Sequence, residues 1–265
     1  MAVIRIAFVI LAILLMTLVV LLPHLVGLAL SALGLSLGAR IAKWIPVFWH
    51  QFTRRLLRIR IRVVGRPLIG EPALFVSNHV SWVDIVVMGA VLPASFVAKR
   101  EVGTWPVIKY LANLQRTVYV SRDRKTAAKE REDMTERLGK GDSLILFPEG
   151  TSSDGLRIGE FRAAFFSLAE LKAEGHALKV QPFSITYTRV DGFPVTRRSM
   201  DKAAWYGDMD LAPHLKDFLL GGPYEATLKF FEPVTIEQFG NRKALAQHCR
   251  RLIVEGNSEA LSARA

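Results

Sequence analysis

Cysteine is almost absent: Cys249 is the one thiol in 265 residues. A single thiol builds neither an intrachain disulfide nor a Cys-ligated zinc or iron–sulfur site. Phosphate-cradling glycine loops are missing as well, since the chain contains no G-x4-G-K-[ST] and no G-x-G-x-x-G. No dense His/Asp cluster points to a metal-dependent hydrolase, and no metal site is expected. Charge of either sign is missing from Ile6 to Ala39, and acidic residues are missing from Arg40 to Gly70. With 51% hydrophobic residues and ordinary Pro, Gly and Ser content, the chain is neither disordered nor collagenous.

The uncharged stretch is the first thing that is present. Ile6 to Leu22 are seventeen positions with Thr17 the one polar residue, and after Pro23 and His24 the apolar text resumes. As one straight helix these residues would be about 51 Å long, against a hydrocarbon core of about 30 Å. A break near Pro23 is expected. Two arrangements fit, a single tilted span or a two-helix hairpin that dips into the bilayer and returns to the same face; the hairpin is preferred. A cleaved signal peptide is disfavoured, because the stretch is about twice the usual 7–15-residue apolar region.

Directly after it come Arg40, Lys43, Arg54, Arg55, Arg58, Arg60, Arg62 and Arg66, interleaved with Trp44, Phe48, Trp49 and Phe52. Basic and aromatic residues together suit an interfacial helix on an anionic, cytoplasmic membrane face. The net charge of +11 is therefore assigned to the membrane surface rather than to nucleic acid. Residues 1–66 are expected to be a membrane anchor and residues 67–265 a single further domain.

That domain alternates short β-branched runs with longer amphipathic ones. Strands are expected at Ala73–Ser77, Ser95–Ala98, Thr117–Val120, Ser143–Phe147, Val180–Thr186 and Ala226–Phe231. Helices are expected at Trp82–Val91, Trp105–Leu114, Lys125–Leu138, Ala163–Glu174 and from Arg242 to about Val254. The fold class is α/β, a mostly parallel or mixed central sheet flanked by helices. The Gly- and Pro-containing segment Asp191–Gly222 reads as loop-rich surface.

Three stretches carry chemistry. Ser77-Asn78-His79-Val80-Ser81-Trp82-Val83-Asp84 follows a strand and opens a helix. On one helix His79 and Asp84 would point about 140° apart; at a strand-to-helix turn the carboxylate can reach the imidazole and make it a general base. The same spacing also fits a helix N-terminus at which Asp84 only caps. Phe147-Pro148-Glu149-Gly150-Thr151 ends a buried strand, where ligands bind in open α/β sheets. Arg122 ends another strand, and its planar fork suits a phosphate. His24, His50, His176, His214 and His248 stand apart and read as structural or surface residues.

In this order the three stretches resemble the glycerolipid acyltransferase family over roughly residues 70–190. Its Asn-His-x4-Asp block matches at Asn78, His79 and Asp84, its Phe-Pro-Glu-Gly-Thr block at Phe147 through Thr151, and its Val-x-Pro strand at Val180-Gln181-Pro182. The resemblance implies that His79, oriented by Asp84, deprotonates an acceptor hydroxyl that attacks acyl-CoA or acyl-acyl carrier protein, with no cofactor. It implies that Asn78, Arg122, Glu149, Gly150 and Thr151 lie on the substrate side, with Arg122 on an anionic headgroup. The implied acceptor is the lysophospholipid 1-acyl-sn-glycerol 3-phosphate, giving phosphatidic acid. Two departures bear on it: Arg116 stands where the family has Gly, and Ser152 where it has Arg after Glu-Gly-Thr, so Arg116, Arg157 or Arg162 would have to compensate. Another lysolipid such as lyso-ornithine lipid is the alternative acceptor, and a non-catalytic, membrane-anchored lipid-binding protein the alternative class.

Overall fold

The computed structural model describes residues 2–263 except 107, 121–123 and 174–175, with backbone alone for 124–128 and 172–173. Helix α1 (Ala2–Ala32) runs unbroken through Pro23, which corrects the expected break. A proline removes one N–H and bends a helix, yet need not end it. The stop comes at Gly34 (φ 79°), where Gly34 N–H bonds Ser31 O and Leu35 N–H bonds Leu30 O, each at 3.0 Å. That pairing is a Schellman cap, and it needs a left-handed residue.

Helix α2 (Ser36–Leu56) then folds back along α1. The two helices approach at glycines: a Cβ on Gly27 would lie 2.5 Å from the Ile41 side chain, and one on Gly38 2.3 Å from Ser31 N. Thr17, the lone polar residue of the apolar run, accepts from Trp49 Nε1 at 2.9 Å. Both ends of α1 are tied to the rest of the molecule. Arg5 donates to the carbonyls of Leu220 and Gly221 at 3.1 Å, and His24 Nε2 to that of Leu114 at 2.8 Å.

Ten strands follow. They are β1 (Ile59–Val64), β2 (Ala73–Ser77), β3 (Ser95–Lys99), β4 (Val118–Val120), β5 (Leu144–Leu146), the two-residue β6 (Lys172–Ala173) and β7 (His176–Ala177), β8 (Lys179–Val190), β9 (Phe193–Pro194) and β10 (Tyr224–Phe230). The main sheet has the order β1-β10-β8-β2-β5-β3-β4, with β9 folded onto β8; β6 and β7 pair with each other. From β8 to β4 all neighbours are parallel, β10 is antiparallel to β8, and β1 is parallel to β10. The mixed sheet agrees with expectation. Strand β1 does not: it lies within the stretch expected as anchor, and its alternating Arg60 and Arg62 are the exposed charges of an edge strand.

Helices α3 (Val83–Gly89), α4 (Ile108–Leu114), α5 (Arg124–Gly139), α6 (Arg197–Met200), α7 (Leu211–Leu220) and α8 (Arg242–Ser262) complete the chain. Ala73 and Phe75 of β2 pack with Ile145, Phe183 and Ile185 against α3 and α7. Leu74 and Val76 pack with Leu144 and Leu146 against α5, α8 and the 3-10 helix Ala163–Glu170. Strands buried on both faces are continuously apolar, which is why β2 and β5 show no alternation. Helix α7 falls where loop was expected, and its Phe218 and Leu219 join the core. From β2 the chain runs to β3 on one side of β5; from β5 it runs to β8 on the other side of β2. The carboxyl ends of these two neighbours therefore flank a crevice where connections diverge, the usual ligand position in such sheets.

Candidate active site

Strand β2 ends where a side chain takes over its ladder. Asn78 Nδ2 donates to Ile185 O, and Asn78 Oδ1 accepts from Ile185 N–H, both at 2.9 Å. Asn78 is fully buried, and both its amide atoms are spent on β8. It was expected on the substrate side; here it pins the turn from behind, freeing the next residue to leave the sheet.

His79 leaves the sheet and meets the first turn of α3. Its Nδ1 lies 2.8 Å from Asp84 Oδ2, so Nδ1 carries the proton and donates, because a carboxylate only accepts. The ring stacks on Phe147, centroids 4.2 Å apart and planes within 18°. Its side chain is 20% exposed, and Nε2 has no hydrogen-bond partner among the described residues. An imidazole held in one tautomer with a free Nε2 can accept a proton.

Asp84 is fully buried and accepts four hydrogen bonds. Oδ2 receives His79 Nδ1–H together with the N–H groups of Val80 (2.6 Å) and Ser81 (3.0 Å); Oδ1 receives the Tyr187 hydroxyl at 2.8 Å. The capping reading and the general-base reading thus hold together in one carboxylate. Ser81 contributes only its backbone, its buried hydroxyl having no partner among the described residues. Tyr187 escaped the sequence reading, although Phe183, Ile185 and Tyr187 alternate onto the face of β8 that looks toward α3. Burial, and then the Asp84 charge, push its phenol well above the ordinary range, so it stays protonated and donating.

Past β5, Glu149 ties two loops together. Oε1 accepts His79 N–H at 2.9 Å, and Oε2 accepts Gly159 N–H at 2.7 Å. Burial raises its pKa, partly offset by those two donors. Gly150 sits at φ 72°, and a Cβ there would lie 3.4 Å from Phe165 and 3.5 Å from the Arg162 guanidinium. Thr151 is exposed. Beside this turn opens a cleft of about 540 Å³, lined among others by Glu149, Thr151, Asp154, Arg157, Arg162 and Tyr206. Ser153 borders it and donates to His79 O from both N–H (2.9 Å) and Oγ (3.1 Å).

Arg122 lies outside the described residues. Arg116 pairs with Asp142 at the opposite, amino end of β5, so it is remote from Glu149 and cannot replace the missing arginine. Arg157 and Arg162 do line the cleft. His24, His50 and His214 are buried in packing contacts away from this turn. No group of three or more His, Cys, Asp or Glu side chains that could hold a metal is present among the described residues.

Residues 60–186 match the family model named Acyltransferase. A lyso-ornithine lipid O-acyltransferase of Brucella abortus is 44% identical over 207 residues, covering 77% of this chain and 78% of that protein. A 1-acyl-sn-glycerol-3-phosphate acyltransferase of Neisseria gonorrhoeae is 39% identical over 109 residues, covering 40% of this chain and 43% of that protein. The crystal structure of the 1-acyl-sn-glycerophosphate (LPA) acyltransferase PlsC from Thermotoga maritima has the same fold, with a TM-score of 0.64 over 94% of this chain and 99% of its own at 19% identity. With a matching family model and a relative this similar along most of its length, the chain belongs to the acyltransferase family.

Proposed function

We propose that this protein is a membrane-associated O-acyltransferase that moves a fatty acyl group from an acyl-thioester to the free hydroxyl of lyso-ornithine lipid. The observation that carries the chemistry is the His79 ring, bonded to Asp84 through Nδ1 and free at Nε2. Nε2 takes the acceptor's hydroxyl proton as its oxygen attacks the thioester carbonyl. The tetrahedral intermediate collapses, the C–S bond breaks, and the imidazolium returns its proton to the departing thiolate. Asp84 stabilises that imidazolium, while Tyr187 and the two N–H groups keep the carboxylate in place. A thioester is already activated, so acyl-CoA or acyl-acyl carrier protein serves as co-substrate without a further cofactor.

The acceptor differs from the 1-acylglycerol 3-phosphate expected from the motifs. Sequence likeness to the Brucella abortus lyso-ornithine lipid enzyme runs along three quarters of this chain, whereas sequence likeness to the Neisseria gonorrhoeae glycerol-phosphate enzyme covers two fifths. Ser152 in place of a phosphate-binding arginine supports the same choice.

Helix α1 is long and apolar enough to cross a membrane, and Phe8, Leu14, Leu18 and Leu22 are among its exposed residues. Arg5 and His24, about 28 Å apart along the helix, are both held by the same domain. That attachment supports a helix pair lying in one leaflet, with Arg40 to Arg66 against anionic headgroups on the cytoplasmic side.

The test is acyl transfer by purified, detergent-solubilised protein from a radiolabelled acyl-thioester, with lyso-ornithine lipid and 1-acylglycerol 3-phosphate in parallel and His79→Ala as the blank. His79-dependent product from lyso-ornithine lipid is expected. Product from the phosphate acceptor alone would move the pathway and keep the mechanism. No His79-dependent product from either would favour a lipid-binding protein.

A further inference from the structure

We propose that the segment from Lys99 to Thr117, which joins β3 to β4, is a second membrane-contact surface that brings the acceptor's lipid layer to the active-site edge. The proposal rests on the membrane association proposed above and extends it from the helix pair to the α/β domain.

The segment is apolar yet buries nothing. It contains Val102, Trp105, Ile108, Tyr110, Leu111 and Leu114, and none of its described residues is buried. Neither the 3-10 helix Arg100–Thr104 nor α4 contributes a residue to the core, whereas six of the seven residues of α3 are buried. Tyr110 is 63% exposed and Trp105 37%. A helix as short as α4 is not stable by itself in water, and an exposed apolar surface rimmed by charge marks a contact with something outside the domain.

Continuity with α1 makes that contact a lipid surface. Leu114 O accepts from His24 Nε2 at 2.8 Å, which fixes the end of α4 on the apolar helix, where Leu22, Leu25 and Val26 are exposed. The composition agrees. Trp105 and Tyr110 have the amphipathic rings favoured at headgroup level, and Lys99, Arg100, Lys109 and Arg116 face one acid, Glu101. Arg100 is paired with Glu130 and Arg116 with Asp142. Lys99 and Lys109 have no carboxylate partner among the described residues, and Lys109 Nζ lies 4.9 Å from the centre of the Tyr110 ring. A basic and aromatic pair of this kind suits an anionic headgroup layer.

The segment also begins at the right edge. Strands β2, β5 and β3 are parallel neighbours, so Lys99 leaves the sheet at the edge that carries His79 and Glu149. The Trp105 ring meets that of Trp205 edge-on, centroids 6.3 Å apart. Trp205 N–H bonds Val80 O at 2.9 Å, and Val80 N–H bonds Asp84. A lipid-bound segment thus stands one aromatic contact from the strand-to-helix turn, and an acceptor reaches the crevice without leaving its layer.

The experiment places an environment-sensitive NBD fluorophore on Tyr110→Cys, on Leu18→Cys in α1 and on Lys243→Cys in α8, which packs on the other face of the sheet. Cys249 is fully buried and stays unlabelled. The full-length proteins are bound to phosphatidylethanolamine–phosphatidylglycerol vesicles with and without doxyl-labelled lipid. Blue shift and doxyl quenching are expected at Tyr110 and Leu18 and not at Lys243. Quenching at Leu18 with Tyr110 behaving as Lys243 does would overturn the surface, as would equal quenching at Tyr110 and Lys243, the mark of non-specific adsorption. Quenching at none of the three would remove the membrane reading and this proposal with it.

A kinetic arm uses the double variant Lys109→Ala/Tyr110→Ser. Its kcat/KM for vesicle-held lyso-ornithine lipid is expected to fall about fivefold, the worth of one basic side chain at an anionic surface, with melting temperature and kcat/KM for a monomeric short-chain acceptor unchanged. Equal loss on both acceptors, or no loss on either, would overturn the surface's part in delivering the acceptor. The fluorescence arm needs no turnover, so absent acyl transfer would sink the acyltransferase reading and leave the membrane contact standing.

Discussion

The hydroxyl of Tyr187 donates to Asp84 Oδ1 at 2.8 Å across 103 residues of sequence, and both side chains are fully buried. Asp84 Oδ2 has three other donors, whereas Oδ1 has this phenol alone. The orientation of the acid behind His79 is thus completed from β8, the strand beside β2.

Tyr187→Phe removes that donor and keeps the ring. An unsatisfied buried carboxylate oxygen costs about 1–3 kcal/mol, and we expect kcat to fall about tenfold with acceptor KM unchanged, with a displaced pH profile as the signature. An unaltered pH–rate profile in the variant would remove Tyr187 from the positioning of Asp84.

Glu149→Gln tests the strut between the two loops. A glutamine side chain has one acceptor oxygen, so either His79 N–H or Gly159 N–H would face an NH2 group. The cost is about 1–3 kcal/mol, read as a lower melting temperature, and kcat falls because His79 is no longer fixed. Unchanged melting and turnover would show that one bond suffices.

Alkaline pH should weaken the fold through the buried phenols. Burial raises Tyr187 and Tyr224 above the ordinary value of 10.0, so between that value and their folded pKa the native state holds more protons than the unfolded chain. Their contribution is fully present below pH 10 and is lost as pH rises through the folded values. Thermal melts from pH 8 to 11 should show melting temperature dropping at the alkaline end, with a shallower drop in Tyr187→Phe. Equal slopes in the two proteins would contradict this.

Gly38→Val tests the helix pair. A side chain at Gly38 would meet the Leu30–Ser31 backbone at under 3 Å, an overpacking expected to cost about 1–3 kcal/mol. Melting in lipid nanodiscs should fall while vesicle flotation is kept, since the exposed apolar face of α1 is untouched. Loss of flotation would mean that the exposed face of α1 is not sufficient and that membrane contact needs the packed helix pair.

Much of the site's placement could be read locally. Ala73–Ser77 and Leu144–Leu146 are continuous apolar runs because strands buried on both faces need apolar residues at every position, and the polar residues just after them, His79 and Glu149, fall at the carboxyl ends of neighbouring strands. Asp84 could be placed in the first turn of a helix, five residues from His79, by counting alone. The hairpin stop was present as Gly34, but Pro23 is the louder local signal, and only the capping bonds and the packing of Gly27 and Gly38 on the partner helix decide between them.

What the sequence by itself determined is whatever depends on neighbours along the chain: the apolar leader, the basic stretch after it, the α/β alternation and the His79–Asp84 spacing. Tertiary structure alone decided which donors complete those groups. Tyr187 on Asp84, Gly159 on Glu149, Ile185 on Asn78 and the Arg162 guanidinium over Gly150 join segments that meet only because parallel strands end at one edge. Such pairings leave no periodicity to read, since helix and strand repeats report the face a residue shows to the core and not the partner it finds there.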